Sequence, residues 1–248
     1  NHMDYDHSVV VPVHLYGASV DMVKLLKLKS KYNIYIIEDC SQAHGAITNT
    51  NSNVGNDGDI GVFSLYPGKN LGAAGDAGIV VTNNKDYYNL LLSYRNLGMT
   101  KKYHHDFFSG NHRLDTIQAI ILSNKLNYFD EWTNKRIHVA KKYNELIVNS
   151  KILKPNLPNY CLKHVYHIYC VRVKNRKNFT DYLTSNNIPF IIHYPISLHK
   201  SLALKNFNFK YVGDNNTLNF SNEIVSLPIY PFITIDEISY ISNIINNY

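Results

Sequence analysis

The chain has 248 residues, of which 45% are hydrophobic and 18% are charged, and its formal net charge is +6. A chain of this length and composition can bury a substantial core, which excludes the fibrous and disordered classes of protein. The basic residues are scattered, with acidic residues between most of them, so the charge favours a solvated surface over a nucleic-acid-binding face.

The first half of the chain is predicted to combine helices with short strands. In chain order these elements are a helix over 22–32, a buried parallel strand over 33–37, short strands over 61–63 and 79–82, and a helix over 87–92. The first strand leads directly into Glu38 and Asp39. Because ligands bind at the carboxyl ends of strands in open α/β sheets, we expect Asp39 to lie beside a ligand.

The second half is predicted to hold a long connecting helix and a small α+β domain. Its elements are one helix, straight or kinked, from 114 to about 148, a turn-rich stretch over 154–159, strands over 166–173 and 189–193, and helices over 177–186 and 236–246. We therefore predict a large domain over residues 1–130, followed by the connecting helix and the small domain over residues 131–248.

A lysine and a carboxylate form the most informative pair in the chain. Lys69 lies in the run 63–72, and Asp39 precedes it by thirty residues in the run 38–46. A lysine amine can form a Schiff base with the aldehyde of pyridoxal phosphate (PLP), and a carboxylate can pair with the pyridine nitrogen and make the ring an electron sink. The turn at Ser64 offers hydroxyl and backbone donors for a phosphate. Each residue alone is typical of a solvated charge or a helix cap, but together they predict a PLP site.

Several short motifs follow one another in a fixed order along nearly the whole chain. They are the segments 11–17, 38–46, 58–64, 66–72, 75–78, 111–119, 166–169, 193–199 and 226–231. In this order they resemble the DegT/DnrJ/EryC1/StrS sugar aminotransferases, a family of fold-type I PLP enzymes. The resemblance implies an α/β fold with a three-layer large domain at residues 1–130 and a small α+β domain at the C-terminus.

The same resemblance implies a role for each residue of the cofactor site. Lys69 would form the internal Schiff base and move protons, and Asp39 would pair with the pyridine nitrogen. Gln42 would lie near the phenolic oxygen of the ring, and Ser64 would hold the phosphate. Relatives that dehydrate a sugar carry histidine in place of this lysine, so Lys69 favours transamination.

Three further residues are candidates by resemblance. Asn111 matches an asparagine that reaches the cofactor phosphate of a partner subunit, which implies a homodimer with a shared active site. His193 and Tyr194 match positions near the sugar nucleotide, a role that we weigh evenly against that of an ordinary loop histidine, and His199 is a weaker candidate. The implied function is amination of a nucleotide-linked keto-sugar with an amino acid, glutamate by resemblance, as donor. The His-Tyr-Pro signature that begins at His193 favours amination at the 3-position of the sugar.

The start of the chain departs from the family pattern. Relatives begin with a longer segment that supplies a helix, several strands, a phosphate-binding turn and an aromatic residue that stacks on the cofactor, and we expect this N-terminal part of the large domain to be absent here. Residues 1–3 are interpreted as a tag remnant. The alternative function is therefore a truncated, non-catalytic fragment or a partner subunit of such an enzyme.

Other classes of site are disfavoured by the residue pattern. Three cysteines without a framework spacing favour a reducing compartment, and no signal peptide or membrane span is predicted, so we expect a cytoplasmic protein. His104, His105 and Asp106 are adjacent in a predicted loop and lack the spacing of a metal site, so no metal is predicted. The serine-hydrolase elbow motif is missing.

Overall fold

The computed structural model describes residues 8–212 and 216–248 of the chain. Its backbone contacts divide the chain into two compact units. The first unit comprises residues 1–134 and 157–167, and the second comprises residues 135–156 and 168–248. The domain division predicted after residue 130 stays a prediction, because a compact unit is not by itself an independently folding domain.

Strands and helices alternate along much of the first unit. Their bounds are β1 (Val9–Val10), α1 (Met22–Tyr32), β2 (Tyr35–Asp39), β3 (Ile47–Thr48), β4 (Ile60–Ser64), β5 (Gly78–Val81), α2 (Lys85–Tyr94), β6 (Met99–Lys101), β7 (His104–His105), α3 (Thr116–Leu126), α4 (Phe129–Leu146) and β8 (Cys161–Lys163). The helix predicted over 22–32 is confirmed, and the strand predicted over 33–37 is confirmed as β2, two residues later. The predicted elements between residues 61 and 92 are confirmed with ends moved by one or two residues.

The main sheet of the first unit has the strand order β1-β2-β4-β5. The first three strands run parallel, and β5 pairs antiparallel with β4. Asp39 and Ser64 are the last residues of β2 and β4, and in register Asp39 pairs with Val62. Because parallel strands end at the same edge of a sheet, both residues come to one edge. The loop that carries Lys69 joins β4 to β5 at that edge.

Local capping explains why α1 has the bounds that its sequence predicts. The Asp21 side chain accepts a hydrogen bond from the Lys24 backbone N–H at 3.1 Å, which satisfies one of the unpaired donors in the first turn. At the other end Asn33 adopts a left-handed conformation with φ 49° and ψ 44°. Asparagine tolerates that conformation better than most residues, so it ends the helix just before β2.

The single long helix predicted from 114 to about 148 is wrong, because α3 and α4 are separate helices. The Asn127 N–H donates to Asn124 O and the Tyr128 N–H to Lys125 O, so the end of α3 tightens into bonds between residues three apart. No proline or glycine marks this break, and the sequence pattern therefore gave no sign of it. Neither these helices nor any other within the described residues has the length and apolar character to cross a membrane.

The second unit combines the rest of α4 with a two-stranded antiparallel sheet and three helices. These elements are β9 (Tyr169–Arg172), α5 (Arg176–Ser185), α6 (Asn216–Glu223), β10 (Ile224–Leu227) and α7 (Ile235–Asn246). The helices predicted over 177–186 and 236–246 are confirmed, whereas α6 and β10 were not predicted. The strand predicted over 166–173 is confirmed only over Tyr169–Arg172. The strand predicted over 189–193 is wrong: only Ile191 pairs, in an isolated bridge with Ser226.

Candidate active site

Two apolar clusters anchor the segments that meet at the sheet edge. The first consists of Cys40, Ala43, Ala46, Val54 and Val165, with Phe63 against it. The second consists of Leu65, Leu71, Ala73 and Leu122, with Ala77, Leu114 and Phe129 against it. The segments after β2 and β4 therefore bury their apolar side chains beneath the edge. Asp39, Ser64 and Lys69 remain only partly buried there.

The loop that carries Lys69 is held closed by hydrogen bonds across its base. The Leu65 N–H donates to Ala77 O at 2.8 Å, and the Ala73 N–H donates to Leu65 O at 2.8 Å. Within the loop the Lys69 N–H donates to Tyr66 O at 2.9 Å, which closes a turn. At Gly72 an added Cβ would collide with the carbonyl oxygen of Pro67, so only glycine fits this fold of the loop.

Asn70 ties the next position of the loop to the rest of the first unit. Its Nδ2 donates to Val165 O at 3.2 Å, and its Oδ1 lies 3.1 Å from His167 Nδ1. Asn70 is itself buried. The backbone on the C-terminal side of Lys69 is thus fixed by long-range bonds, which limits where the lysine side chain can reach.

Lys69 has the electrostatic environment of a nucleophilic amine. Burial lowers the pKa of the Lys69 ammonium, and the negative charge of Asp39 acts in the opposite direction with a smaller effect. A lowered pKa increases the fraction of neutral amine near pH 7, and only the neutral amine attacks an aldehyde. The opposing effect of Asp39 indicates that the carboxylate and the lysine belong to one electrostatic site.

Asp39 is oriented by its own turn and by the segment that follows β1. Its Oδ1 accepts the Ser41 backbone N–H at 2.9 Å. Its backbone N–H donates to Pro12 O at 2.9 Å, and its carbonyl accepts the His14 N–H at 3.0 Å. The carboxylate is therefore fixed at the end of β2, as pairing with a pyridine nitrogen requires.

Gln42 is buried and has a defined amide orientation. Its Oε1 accepts the Tyr16 backbone N–H at 2.8 Å. Because the oxygen is engaged in this way, the side chain presents its NH₂ group as the donor to a further acceptor. A donor at this place suits a phenolic oxygen, which carries negative charge when the ring is bound as a Schiff base.

Ser64 and His44 lie near the same loop. The Tyr66 N–H donates to Ser64 Oγ at 3.4 Å, which starts the turn after β4. The His44 ring centroid lies 5.3 Å from that of Phe63. Burial lowers the pKa of His44 to about 4, the Ser64 backbone opposes this shift, and the charge of Lys69 adds to it. His44 is thus a neutral neighbour of the site that the sequence did not single out.

Four further residues were predicted to serve the site, namely Asn111, His193, Tyr194 and His199. Asn111 is exposed, and its Oδ1 accepts the Arg113 N–H at 3.3 Å. In the second unit His193 Nδ1 lies 2.8 Å from Ser226 Oγ, and Tyr194 has a left-handed backbone with φ 55°. The His199 ring stacks on Tyr211 with centroids 4.1 Å apart. The roles predicted for all of these residues stay predictions.

His14, Glu38 and Cys40 form a buried cluster next to Asp39. One ligand atom each of His14, Glu38 and Cys40 lies within 4.8 Å of the others, which is a spacing that a metal ion could use. The His14 and Glu38 atoms are already hydrogen-bonded, to each other and to backbone N–H groups. Burial, with the charges of Glu38 and Asp39, raises the pKa of the Cys40 thiol, which disfavours the thiolate that binds metal. We assign the cluster to the protein's own hydrogen-bond network.

Taken together, the side chains at the sheet edge fit PLP. They supply an amine of lowered pKa, a carboxylate for the pyridine nitrogen, an amide donor for the phenolic oxygen and a hydroxyl for the phosphate. Three of these four come from the ends of β2 and β4 and from the loop between β4 and β5, so the topology of the sheet assembles them.

Comparison with known proteins gives one consistent result. Residues 3–246 match the DegT/DnrJ/EryC1/StrS aminotransferase family. The chain is 42% identical over 239 residues to the dTDP-3-amino-3,6-dideoxy-alpha-D-galactopyranose transaminase of Aneurinibacillus thermoaerophilus, covering 96% of this chain and 65% of that protein. It is 36% identical over 239 residues to the UDP-N-acetyl-3-dehydro-alpha-D-glucosamine 3-aminotransferase of Acidithiobacillus ferrooxidans, covering 95% and 63%.

A solved structure agrees with these relatives. The S. venezuelae DesV structure in complex with a ketimine intermediate superimposes with a TM-score of 0.91 at 31% identity, and the match covers 97% of this chain and 64% of that chain. The chain thus spans less than two thirds of the length of each of these three proteins.

Proposed function

The chain belongs to the DegT/DnrJ/EryC1/StrS aminotransferase family and has its fold-type I α/β fold, and from this premise we propose that it acts in PLP-dependent transamination of a nucleotide-linked keto-sugar. The observation that carries the proposal is the meeting of Lys69, on the loop between β4 and β5, with Asp39 at the end of β2 at one edge of the sheet, where the charge of Asp39 acts on a partly buried amine of lowered pKa. The two relatives named above are both transaminases of nucleotide sugars, which supports this substrate class.

Each residue has one task in this proposal. PLP, when bound, supplies an aldehyde for amine exchange and a ring that accepts electrons. Lys69 Nζ, as the free amine, takes a proton from the α-carbon of the amino-acid donor and later returns one to the sugar carbon. Asp39 keeps a proton on the pyridine nitrogen, the Gln42 NH₂ group donates to the phenolic oxygen, and Ser64 Oγ hydrogen-bonds the phosphate.

Finer features of the reaction belong to the same proposal. We propose glutamate as the amino donor, as the family resemblance implies. We propose the 3-position as the site of amination, which the names of both relatives support. His193 and Tyr194 are proposed to contact the nucleotide sugar. A homodimer is proposed in which the exposed Asn111 serves the cofactor phosphate of the partner. A cytoplasmic location is proposed because none of the three cysteines, all of which lie within the described residues, forms a disulfide.

Borohydride trapping tests the cofactor assignment. The purified chain is incubated with PLP, its absorbance spectrum is recorded, the adduct is reduced, and the labelled peptide is identified by mass spectrometry. We expect a near-visible band and a label on Lys69, and neither with Lys69→Ala. Lys85→Ala, at the exposed start of α2, is the matched control and should label like the unmodified chain.

A second form of the protein, extended at the N-terminus to the length of the relatives, is tested in parallel. A label that appears on Lys69 only in the extended form would favour the alternative function, in which this chain alone is a non-catalytic fragment. If Lys69 stays unlabelled in both forms, the PLP assignment is wrong. Activity with keto-sugar nucleotides is then measured only on the form that carries the label.

A further inference from the structure

Glu38 is a fully buried carboxylate that precedes Asp39 in β2 and points to the opposite face of the strand. Its Oε2 accepts His14 Nε2–H at 2.9 Å and the Gly55 N–H at 2.8 Å. Its Oε1 accepts the Asp57 N–H at 2.9 Å and the Gly58 N–H at 2.6 Å. Four donors therefore satisfy this carboxylate, which burial without partners would strongly disfavour.

His14 completes this network on the side of the preceding segment. The imidazole is fully buried, and its Nδ1 accepts the Val20 N–H at 3.1 Å. Because Nδ1 accepts, the ring proton lies on Nε2 and is donated to Glu38. The ring thus connects Val20, in the chain just before α1, to Glu38, which precedes Asp39 in β2.

The segment that His14 fixes makes direct contact with two residues of the cofactor site. The His14 N–H donates to Asp39 O at 3.0 Å, and the Tyr16 N–H donates to Gln42 Oε1 at 2.8 Å. The same segment therefore sets the backbone at Asp39 and the amide orientation of Gln42.

The turn that makes these contacts is conformationally strained. Tyr16 has φ 59°, a left-handed backbone that is unfavourable for an aromatic residue, and Gly17 follows with φ +105°. At Gly17 an added Cβ would lie 2.8 Å from the Tyr166 backbone nitrogen. Such a turn persists only when surrounding contacts hold it in place. The ring of His14, just before this turn, is bonded to Val20, just after the turn, and to Glu38 on β2.

We propose that His14 and Glu38 are positioning residues for the cofactor site, which hold the segment 12–17 against β2 and thereby set the Asp39 carboxylate and the Gln42 amide. The inference rests on the proposed function of Asp39 and Gln42 as cofactor contacts. Neither His14 nor Glu38 touches the cofactor in this arrangement. Their effect passes through the backbone at Asp39 and through the Tyr16 N–H.

The central variant is His14→Phe, which keeps a buried ring and removes both of its hydrogen bonds. We expect its dissociation constant for PLP to rise by about tenfold or more, the size of effect that loss of a buried hydrogen bond produces. In this variant, hydrogen exchange of the backbone amides at position 14, Tyr16 and Asp39 should accelerate by a similar factor. Both are measured at a temperature where far-UV circular dichroism shows the variant to be folded.

Two further variants separate positioning from general stability. His14→Gln retains an N–H donor that can reach Glu38, so it should recover much of the lost PLP affinity. Tyr143→Phe in the second unit removes a buried hydrogen bond from Oη to Pro228 O, 2.9 Å long, without changing the core volume. It should leave the PLP affinity and the exchange at His14, Tyr16 and Asp39 unchanged, even where it lowers the melting temperature.

The outcomes distinguish this inference from the proposed function. A folded His14→Phe chain with unchanged exchange at Tyr16 and Asp39, or with unchanged PLP affinity, would overturn the positioning role. If neither the unmodified chain nor its N-terminally extended form carries an adduct at Lys69, the proposed function fails. The exchange rates in His14→Phe then still decide whether the pair holds the segment against β2.

Discussion

At the scale of single residues, the titration of Lys69 is expected to depend on the charge of Asp39. Burial lowers the pKa of the Lys69 ammonium, and Asp39 opposes this shift. Its reactivity toward acetic anhydride, followed by peptide mass mapping without cofactor, should therefore rise with pH at a midpoint below the ordinary lysine value of about 10.4. Asp39→Asn removes the opposing charge, so we expect it to move that midpoint to a still lower pH.

An aspartate outside the site provides the control for this measurement. Asp86 lies in the first turn of α2, and Asp86→Asn should leave the midpoint of Lys69 unchanged. A midpoint that moves upward in Asp39→Asn would show that the carboxylate does not stabilise the ammonium. The electrostatic pairing that carries the proposed function would then be wrong.

The lowered pKa of His44 predicts that the protein is less stable in acid. Its pKa is lowered to about 4 by burial, against about 6.5 in an unfolded chain. Between these values the unfolded chain binds a proton that the folded chain excludes, so the free energy of unfolding falls as pH falls through this window. From pH 7 to pH 5 the contribution of His44 to this loss is about 2 kcal/mol.

Urea unfolding at the two pH values tests this contribution. His44→Phe, which replaces the imidazole by a ring that can pack against Phe63, should reduce the difference between pH 7 and pH 5 by about 2 kcal/mol. His104→Phe changes an exposed histidine and should leave the difference as it is. If the free energy of unfolding changes between pH 7 and pH 5 by the same amount in His44→Phe and in the unmodified chain, folding does not lower the pKa of His44.

At the scale of elements, the capping box of α7 stabilises the last helix of the second unit. Thr234 Oγ1 accepts the Glu237 N–H at 3.2 Å, and Glu237 Oε2 accepts the Thr234 N–H at 2.7 Å. Thr234→Ala should lower the free energy of unfolding by about 1 kcal/mol, measured by urea titration with circular dichroism. Thr184→Ala, at an exposed position inside α5, is the control, and an equal loss in both variants would contradict a capping effect.

The helices and strands also show which structural features local sequence patterns predict and which they do not. The helices α1, α5 and α7 were predicted from the local spacing of their residues, and the predicted bounds of α1 hold because Asp21 and Asn33 cap it locally. No proline or glycine lies between α3 and α4, so the helical spacing of apolar residues predicted one helix across the break. The pairing of β3 with β8 joins Thr48 to Cys161, and no local pattern predicts a contact between residues so far apart in the chain.

At the scale of the whole molecule, the proposed shared site predicts complementation between variants. Lys69→Ala and Asn111→Ala each remove one half of every site in a homodimer. In a mixed dimer one of the two sites takes Lys69 from one subunit and Asn111 from the other, and it is intact. Random reassociation of equal amounts should therefore restore about a quarter of the PLP sites of the unmodified protein.

The measurement uses the form of the protein that carries the Lys69 label. The variants are mixed, dissociated in mild denaturant and reassociated, and the reduced PLP adduct is quantified. Lys69→Ala mixed with Lys69→Arg is the control, because no combination of these two supplies the lysine. Recovery no greater than in this control would show that Asn111 does not serve a partner's site.

The amino-acid sequence by itself determined the family and predicted the chemistry of the candidate site. Lys69, Asp39 and Ser64 were identified from residue types and Gln42 from the family resemblance. The order of the motifs along the chain led to the family that the comparisons bear out. Local signals sufficed for this, because a strand that ends in a carboxylate and a glycine-rich lysine loop are each encoded within about ten residues.

The tertiary structure decided how these residues are held. It alone revealed that Glu38 turns away from Asp39 into a buried network with His14, that the strained turn at Tyr16 fixes Gln42, and that His44 is buried beside the lysine loop. The physical reason is that these hydrogen bonds and this burial join segments that are distant along the chain. Their partners are specified only once β1, β2 and β4 align in one sheet.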